Sequence, residues 1–118
     1  MEIYDIKSGD ILVTECKNLG PYQFKRDYII FIASGSNPSI SSGNGYICYS
    51  IPVIAAIDLS NTLKVGTNLS IGYIIYFIEK HRTSTIRKPT FSEMTELINR
   101  LKENGYKYNK KTKIIEKL

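Results

Sequence analysis

Short apolar runs between polar turns, one capped amphipathic helix and a closing basic hairpin predict an α+β domain. The expected architecture is a small antiparallel β-barrel or curled sheet, SH3-like in style, followed by one C-terminal helix and a β-hairpin. Three observations carry this. Stretches rich in Ile, Val, Tyr and Phe alternate with turns of Gly, Ser, Asn and Asp up to residue 79. Thr90 and Glu93 stand at capping-box spacing ahead of an apolar stripe. After Gly105 the apolar period switches from helical to alternating.

The elements follow in order. Residues 3–6 alternate before a Ser8-Gly9-Asp10 turn, and 11–16 read as a buried strand. Residues 18–21 punctuate. Phe24, Lys25, Arg26 and Asp27 lead into a second apolar strand at 28–32. Residues 33–45 form a long loop rich in Ser, Gly and Asn, with Pro38 inside it. Two apolar stretches, 46–51 and 53–57, are separated by Pro52, which predicts a sheet edge or a bend because proline cannot donate to a ladder. A turn at 58–61, a short strand at 62–65, a turn at 66–68 and a strand at 71–79 complete a β domain spanning 1–87.

Residues 88–118 form a helix-plus-hairpin clasp packed on that domain. Pro89 pushes Lys88 into an extended conformation. Phe91, Met94, Leu97, Ile98 and Leu101 recur at helical spacing, so the helix runs from about 91 to 104. Glu93 and Glu96 lie toward the positive end of its dipole, Arg100 and Lys102 toward the negative end. Gly105 supplies a left-handed exit that brings Leu101 and Tyr106 together. Tyr106 and Tyr108 share one strand face, 109–112 turn, and 113–118 return. A lone hairpin is marginal in water, so its apolar side must lean on the helix or the sheet.

At 118 residues the chain can bury a modest core without staples. Cys16 and Cys48 are its two cysteines, without CxxC spacing, which predicts free thiols rather than a disulfide framework or a zinc site. The N-terminus has neither signal- nor transit-peptide character, and the longest apolar run, 71–78, is too short to cross a bilayer as a helix. The expectation is a cytoplasmic protein with no membrane partner.

The net charge is +5. Most of it sits in the clasp, where Lys88, Arg100, Lys102, Lys107, Lys110, Lys111, Lys113 and Lys117 face only Glu93, Glu96, Glu103 and Glu116. Such a hairpin attracts phosphate, yet lysines are also ordinary protection for a strand edge. The Ser/Gly loop lacks the strand-loop-helix context and Lys-Ser/Thr ending of a phosphate-binding loop. His81 is the sole histidine, and the acidic residues of the β domain are scattered. No catalytic residues, cofactor or metal site is expected, and the chain reads as a non-enzyme.

Binding remains. Nine tyrosines exceed what a small core can hold, since each hydroxyl needs a partner. Tyrosine beside arginine suits stacking on a base and pairing with phosphate, and equally suits a protein interface. The candidate ligand-binding residues are Arg26, Tyr28, Tyr46, Tyr73, Arg82 and Arg87. The partner is an anionic, nucleotide-like small molecule or a host protein.

Residues 10–13, Ile51-Pro52, residues 61–67 and the closing 101–118 make the chain resemble small uncharacterised accessory proteins of phages and mobile elements of gut Bacteroidales. A capped helix ending in a Gly-Tyr hairpin recurs in that group. This chain departs by lacking tryptophan and by its long Ser/Gly loop. The resemblance implies origin, a phage-type accessory protein, more than mechanism. With a β domain that offers Tyr and Arg but no catalytic motif, the expected function is to bind and neutralise a host factor, most sharply as a sponge for a nucleotide-like signal of antiviral defence. The alternatives are a nucleic-acid-binding module using Lys107, Lys110, Lys111 and Lys113, or a virion or assembly component. Uncovered strand edges predict a homo-oligomer. The clasp is expected to buttress the β domain, with recognition near Tyr46 and residues 80–87.

Overall fold

The computed structural model describes residues 6–16, 24–34, 39–43, 46–66, 73–78 and 84–118. Strands β1 (Ile11–Cys16), β2 (Tyr28–Ala33), β3 (Ser39–Gly43), β4 (Tyr46–Ile57), β5 (Leu63–Val65), β6 (Tyr73–Ile78) and β7 (Ser84–Arg87) form one antiparallel sheet. Helix α1 (Phe91–Glu103) follows, then a separate hairpin of β8 (Tyr106–Asn109) and β9 (Ile114–Lys117). The α+β class is as expected, and no helix among the described residues is long and apolar enough to cross a membrane.

The sheet is organised around β4. Its register places β2 and then β3 along one edge, β5 and β6 along the other, while β1 and β7 continue beyond β2. Among the described residues no ladder joins β7 to β6, so the sheet is open rather than a closed barrel. It is nevertheless curled. Four ladder steps separate β6 from β7 in strand order, roughly 19 Å across a flat sheet at the usual strand spacing, yet their Cα atoms approach within 8 Å.

Two expectations change. The 33–45 segment contains a strand: Ser39–Gly43 pairs with residues 46–50 of β4. Pro52 neither ends its strand nor marks a sheet edge: it lies inside β4, which runs for 12 residues with partner strands on both sides. On the β2–β3 side, Pro52 faces the break between those two strands, where its carbonyl accepts from the Ser34 amide at 3.0 Å. Ser34 lies opposite Pro52, so the return bond that an N–H at Pro52 would make is missing and the β2–β4 ladder ends at this point. Two residues later the register shifts, and Ile54 is the extra residue of a β-bulge. Strand β7 is a further element that the sequence did not announce; it lies along the free edge of β1, Thr14 opposite Ile86. The 71–79 strand is described as Tyr73–Ile78.

Both faces of the sheet are buried, which is why its strands read as continuous rather than alternating apolar runs. One face gathers Leu12, Phe31, Ala33, Ile51, Val53 and Ala56 with Ile6. The bulge at Ile54 is what returns Ala56 to the same side as Val53. The other face holds Ile11, Val13, Ile30, Ile32, Ala55 and Ile57, and here Leu97 and Leu101 of α1 pack, with Met94, Tyr106, Tyr108 and Ile115 around them.

The caps of the clasp match their sequence reading, but Phe91, expected on the apolar stripe with Met94, Leu97 and Leu101, is exposed and does not pack on the sheet. Thr90 caps α1, accepting from the Glu93 amide at 3.2 Å while the Glu93 carboxylate accepts from the Thr90 amide at 2.8 Å. Asn104 ends the helix, and Gly105, at φ +86°, donates to the Lys102 carbonyl. The hairpin turn then docks on the Ser8–Gly9 turn. Tyr108 Oη donates to the Gly9 carbonyl at 2.6 Å, and Lys113 Nζ meets Asp10 Oδ1 at 2.7 Å. The Lys113 backbone is left-handed at φ 58° and lies directly against Gly9, itself at φ +89°.

Two glycine variants separate backbone strain from steric exclusion. Gly105→Ala meets open space and incurs only the left-handed penalty, about 1–2 kcal/mol. Gly9→Ala adds a clash with the Lys113 carbonyl and Cβ, so a loss of about 2–5 kcal/mol is expected. Urea denaturation of both variants checks the order; equal losses would show that the Gly9–Lys113 contact does not constrain the fold.

Candidate functional site

A cleft of about 790 Å³ opens where the clasp meets the sheet. Ile11 and Leu12 of β1 supply one apolar wall and Tyr108 of β8 another. Pro89 and Met94, the residues before the helix cap and at its fourth position, supply a third; these are the positions a hydrophobic staple occupies. The polar lining is Asp10 with Lys7, Lys88, Lys110 and Lys113, four cations against a single carboxylate.

That carboxylate is spoken for. Asp10 Oδ2 accepts from the Lys7 amide at 2.9 Å, and Oδ1 takes the Lys113 ammonium. Asp10 raises the Lys113 pKa, and burial raises that of Tyr108 against the opposing pull of Lys113. Lys113 is thus neutralised in place. The ammonium groups of Lys7, Lys88 and Lys110 have no acidic partner among the described residues, so the cleft carries a local positive excess over an apolar floor.

Two of the arginines expected to hold a ligand, Arg87 and Arg26, are paired with carboxylates. Arg87 forms a fork with Glu93, its Nη1 and Nη2 atoms 2.7 and 2.8 Å from the two carboxylate oxygens, while its Nε meets Glu15 at 2.7 Å. Arg26 pairs with Glu96 at 2.9 Å and lies 4.6 Å over the Tyr28 ring. Arg100 donates to the Asn61 carbonyl at 3.0 Å. These three ties run along one flank of α1 and fasten it to the sheet. The structure therefore brings Arg26 and Tyr28 together, but against the helix rather than around an open space.

The side chains of Tyr46 and Tyr73, and all of Arg82 and His81, lie outside the described residues. The four hairpin lysines divide. Lys110 and Lys113 line the cleft, Lys107 stands opposite Glu116 across the hairpin, and Lys111 is exposed on the turn. Sequence reasoning missed Lys7 and Lys88. The Gly9 turn beside Lys7 and the Pro89 stop beside Lys88 were both visible, but nothing local indicates that the two meet. No group of three or more His, Cys, Asp or Glu suited to a metal occurs among the described residues.

No protein family, curated protein or solved structure matches this chain. The functional reading therefore rests on the geometry of the cleft and the chemistry of its lining.

The Arg87–Glu93 fork has a defined pH signature. The Arg87 hydrogen bond is the main reason that the Glu93 carboxyl falls from its ordinary 4.5 to about 2, burial opposing it. A depressed carboxyl stabilises the fold fully above its ordinary pKa and loses that contribution as pH falls from 4.5 to about 2. Glu93→Gln should cost about 1–2 kcal/mol at neutral pH, a figure reduced because Arg87 is partly exposed. Urea midpoints of wild type and variant should converge as pH is lowered through that window; a gap that stays constant would dismiss the fork as a stabilising pair.

Proposed function

We propose that the protein is a non-enzymatic binding protein for a small organic anion bearing phosphate groups, held in the cleft between the clasp and β1. The carrying observation is the convergence of Lys7, Lys88 and Lys110, without acidic partners among the described residues, on a concave apolar floor. Small-molecule sites combine an apolar lining with a few polar groups that fix orientation, and this cleft has both. Compact ammonium groups on flexible stems suit phosphate oxygens.

A small ligand fits better than a nucleic-acid strand. A polymer needs cations spaced along a path, whereas here they converge, Lys113 is neutralised by Asp10 and Lys107 faces Glu116. Together with the resemblance to phage accessory proteins, the role we assign is sequestration of a nucleotide-like signal. Uptake without turnover is the simplest use of a cleft whose described lining offers lysines, one engaged carboxylate and a tyrosine bonded to backbone.

Calorimetry with ADP-ribose and with a cyclic dinucleotide tests this reading. At least one should bind stoichiometrically and raise the melting temperature. The Lys88→Glu/Lys110→Glu double variant should fold normally by circular dichroism and bind about tenfold more weakly, since two exposed ion pairs at about 0.7 kcal/mol each amount to that factor. Undiminished affinity in the double variant would remove the ligand from this cleft. Tight, steeply salt-dependent binding of short DNA or RNA, with neither small molecule bound, would favour the nucleic-acid reading instead.

A further inference from the structure

We infer that Phe91 is the base-recognition residue of this cleft, so that its ligand is an aromatic nucleotide whose ring stacks on the first turn of α1 while its phosphates meet the lysines. The inference rests on the proposed anion-binding function and adds the specificity element.

Phe91 is 83 % exposed, the most exposed large apolar side chain among the described residues. Nothing local calls for it. It occupies the first helical position, where phenylalanine is no better than average for helix formation and where acidic residues suit the dipole. Pro89 and Met94 already hold the staple positions, and the stripe that packs on the sheet is Met94, Leu97 and Leu101. An aromatic ring left in water contributes nothing to this core.

Its direction is set by the helix. At about 100° per residue, Phe91 lies roughly 60° from Met94 and roughly 160° from Glu93. Glu93, Glu96 and Arg100 mark the flank fastened to Arg87, Arg26 and Asn61. Met94, which lines the cleft, marks the opposite flank, and Phe91 continues that flank outward. Phe91 is not itself among the residues lining the cleft; it is one turn from Met94 and two residues from Pro89, both of which line it, and so stands beside its rim. A ring in that place offers a π-face to a flat ligand group, while Lys88 stands three residues before it and Lys7 and Lys110 face them from the other walls.

The chain contains no tryptophan, which gives a clean test. In Phe91→Trp the new indole is the sole one, and ADP-ribose should quench its fluorescence saturably while inorganic pyrophosphate, with the phosphates but no base, should not. By calorimetry wild type should prefer ADP-ribose to pyrophosphate. Phe91→Ala should lose about tenfold or more for ADP-ribose and keep its pyrophosphate affinity. If Phe91→Ala binds ADP-ribose as tightly as wild type, or if wild type binds the two probes equally, the stacking role is overturned and the lysine cleft stands. If neither probe binds wild type at all, the anion-binding reading and this inference fall together.

Discussion

The fold closes on one contact between backbone segments about a hundred residues apart. The hairpin turn at Lys113 presses on Gly9 so closely that no side chain fits between them. Tyr108 and the Lys113–Asp10 pair fix the remaining degrees of freedom around that point, one from a ring and one from a charge. A left-handed lysine meeting a left-handed glycine is an unusual conformation for the first of the two, and it persists because the surrounding bonds determine it. Everything else about the clasp follows: once the hairpin is seated, α1 can only lie across Val13, Ile30 and Ile32, and the space between α1, β8 and the start of β1 is what remains as the cleft.

Charge is divided along the same line. The flank of α1 that faces the sheet is compensated group by group: Glu93 with Arg87, Glu96 with Arg26, Arg100 with an Asn61 carbonyl. Such ties add directionality to a contact whose strength comes from Leu97 and Leu101. On the cleft side, Lys7, Lys88 and Lys110 have no acidic partner among the described residues. One face of a single helix thus serves attachment while the other lines the cleft.

What the sequence disclosed and what it withheld follow from the range of the interactions involved. The Thr90–Glu93 box, the Gly105 exit and the alternating Tyr106 and Tyr108 depend on neighbours within a few residues, and each appears where its spacing placed it. Ser39–Gly43 and Ser84–Arg87 have little strand character of their own and become strands because β4 and β1 present open edges to them. Pro52 was legible as a ladder defect but not as one aligned with a gap between two partner strands. Arg26 and Arg87 were legible as cations near the sheet; that their counter-charges would come from a helix some seventy and six residues away, respectively, was not. Lys7 and Lys88 carried no signal beyond their charge.

The cleft draws its unpaired cations from positions 7, 88 and 110, so it exists only while both ends of the chain are gathered at β1. Bringing such distant segments together costs loop-closure entropy that no local structure offsets. A multivalent anion spanning those lysines would act as a removable cross-link, tying the first turn, the α1 entrance and the hairpin tip into one loop-free unit. Occupancy and closure of the chain are then linked quantities: whatever loosens either terminus weakens binding, and whatever binds holds the termini in register.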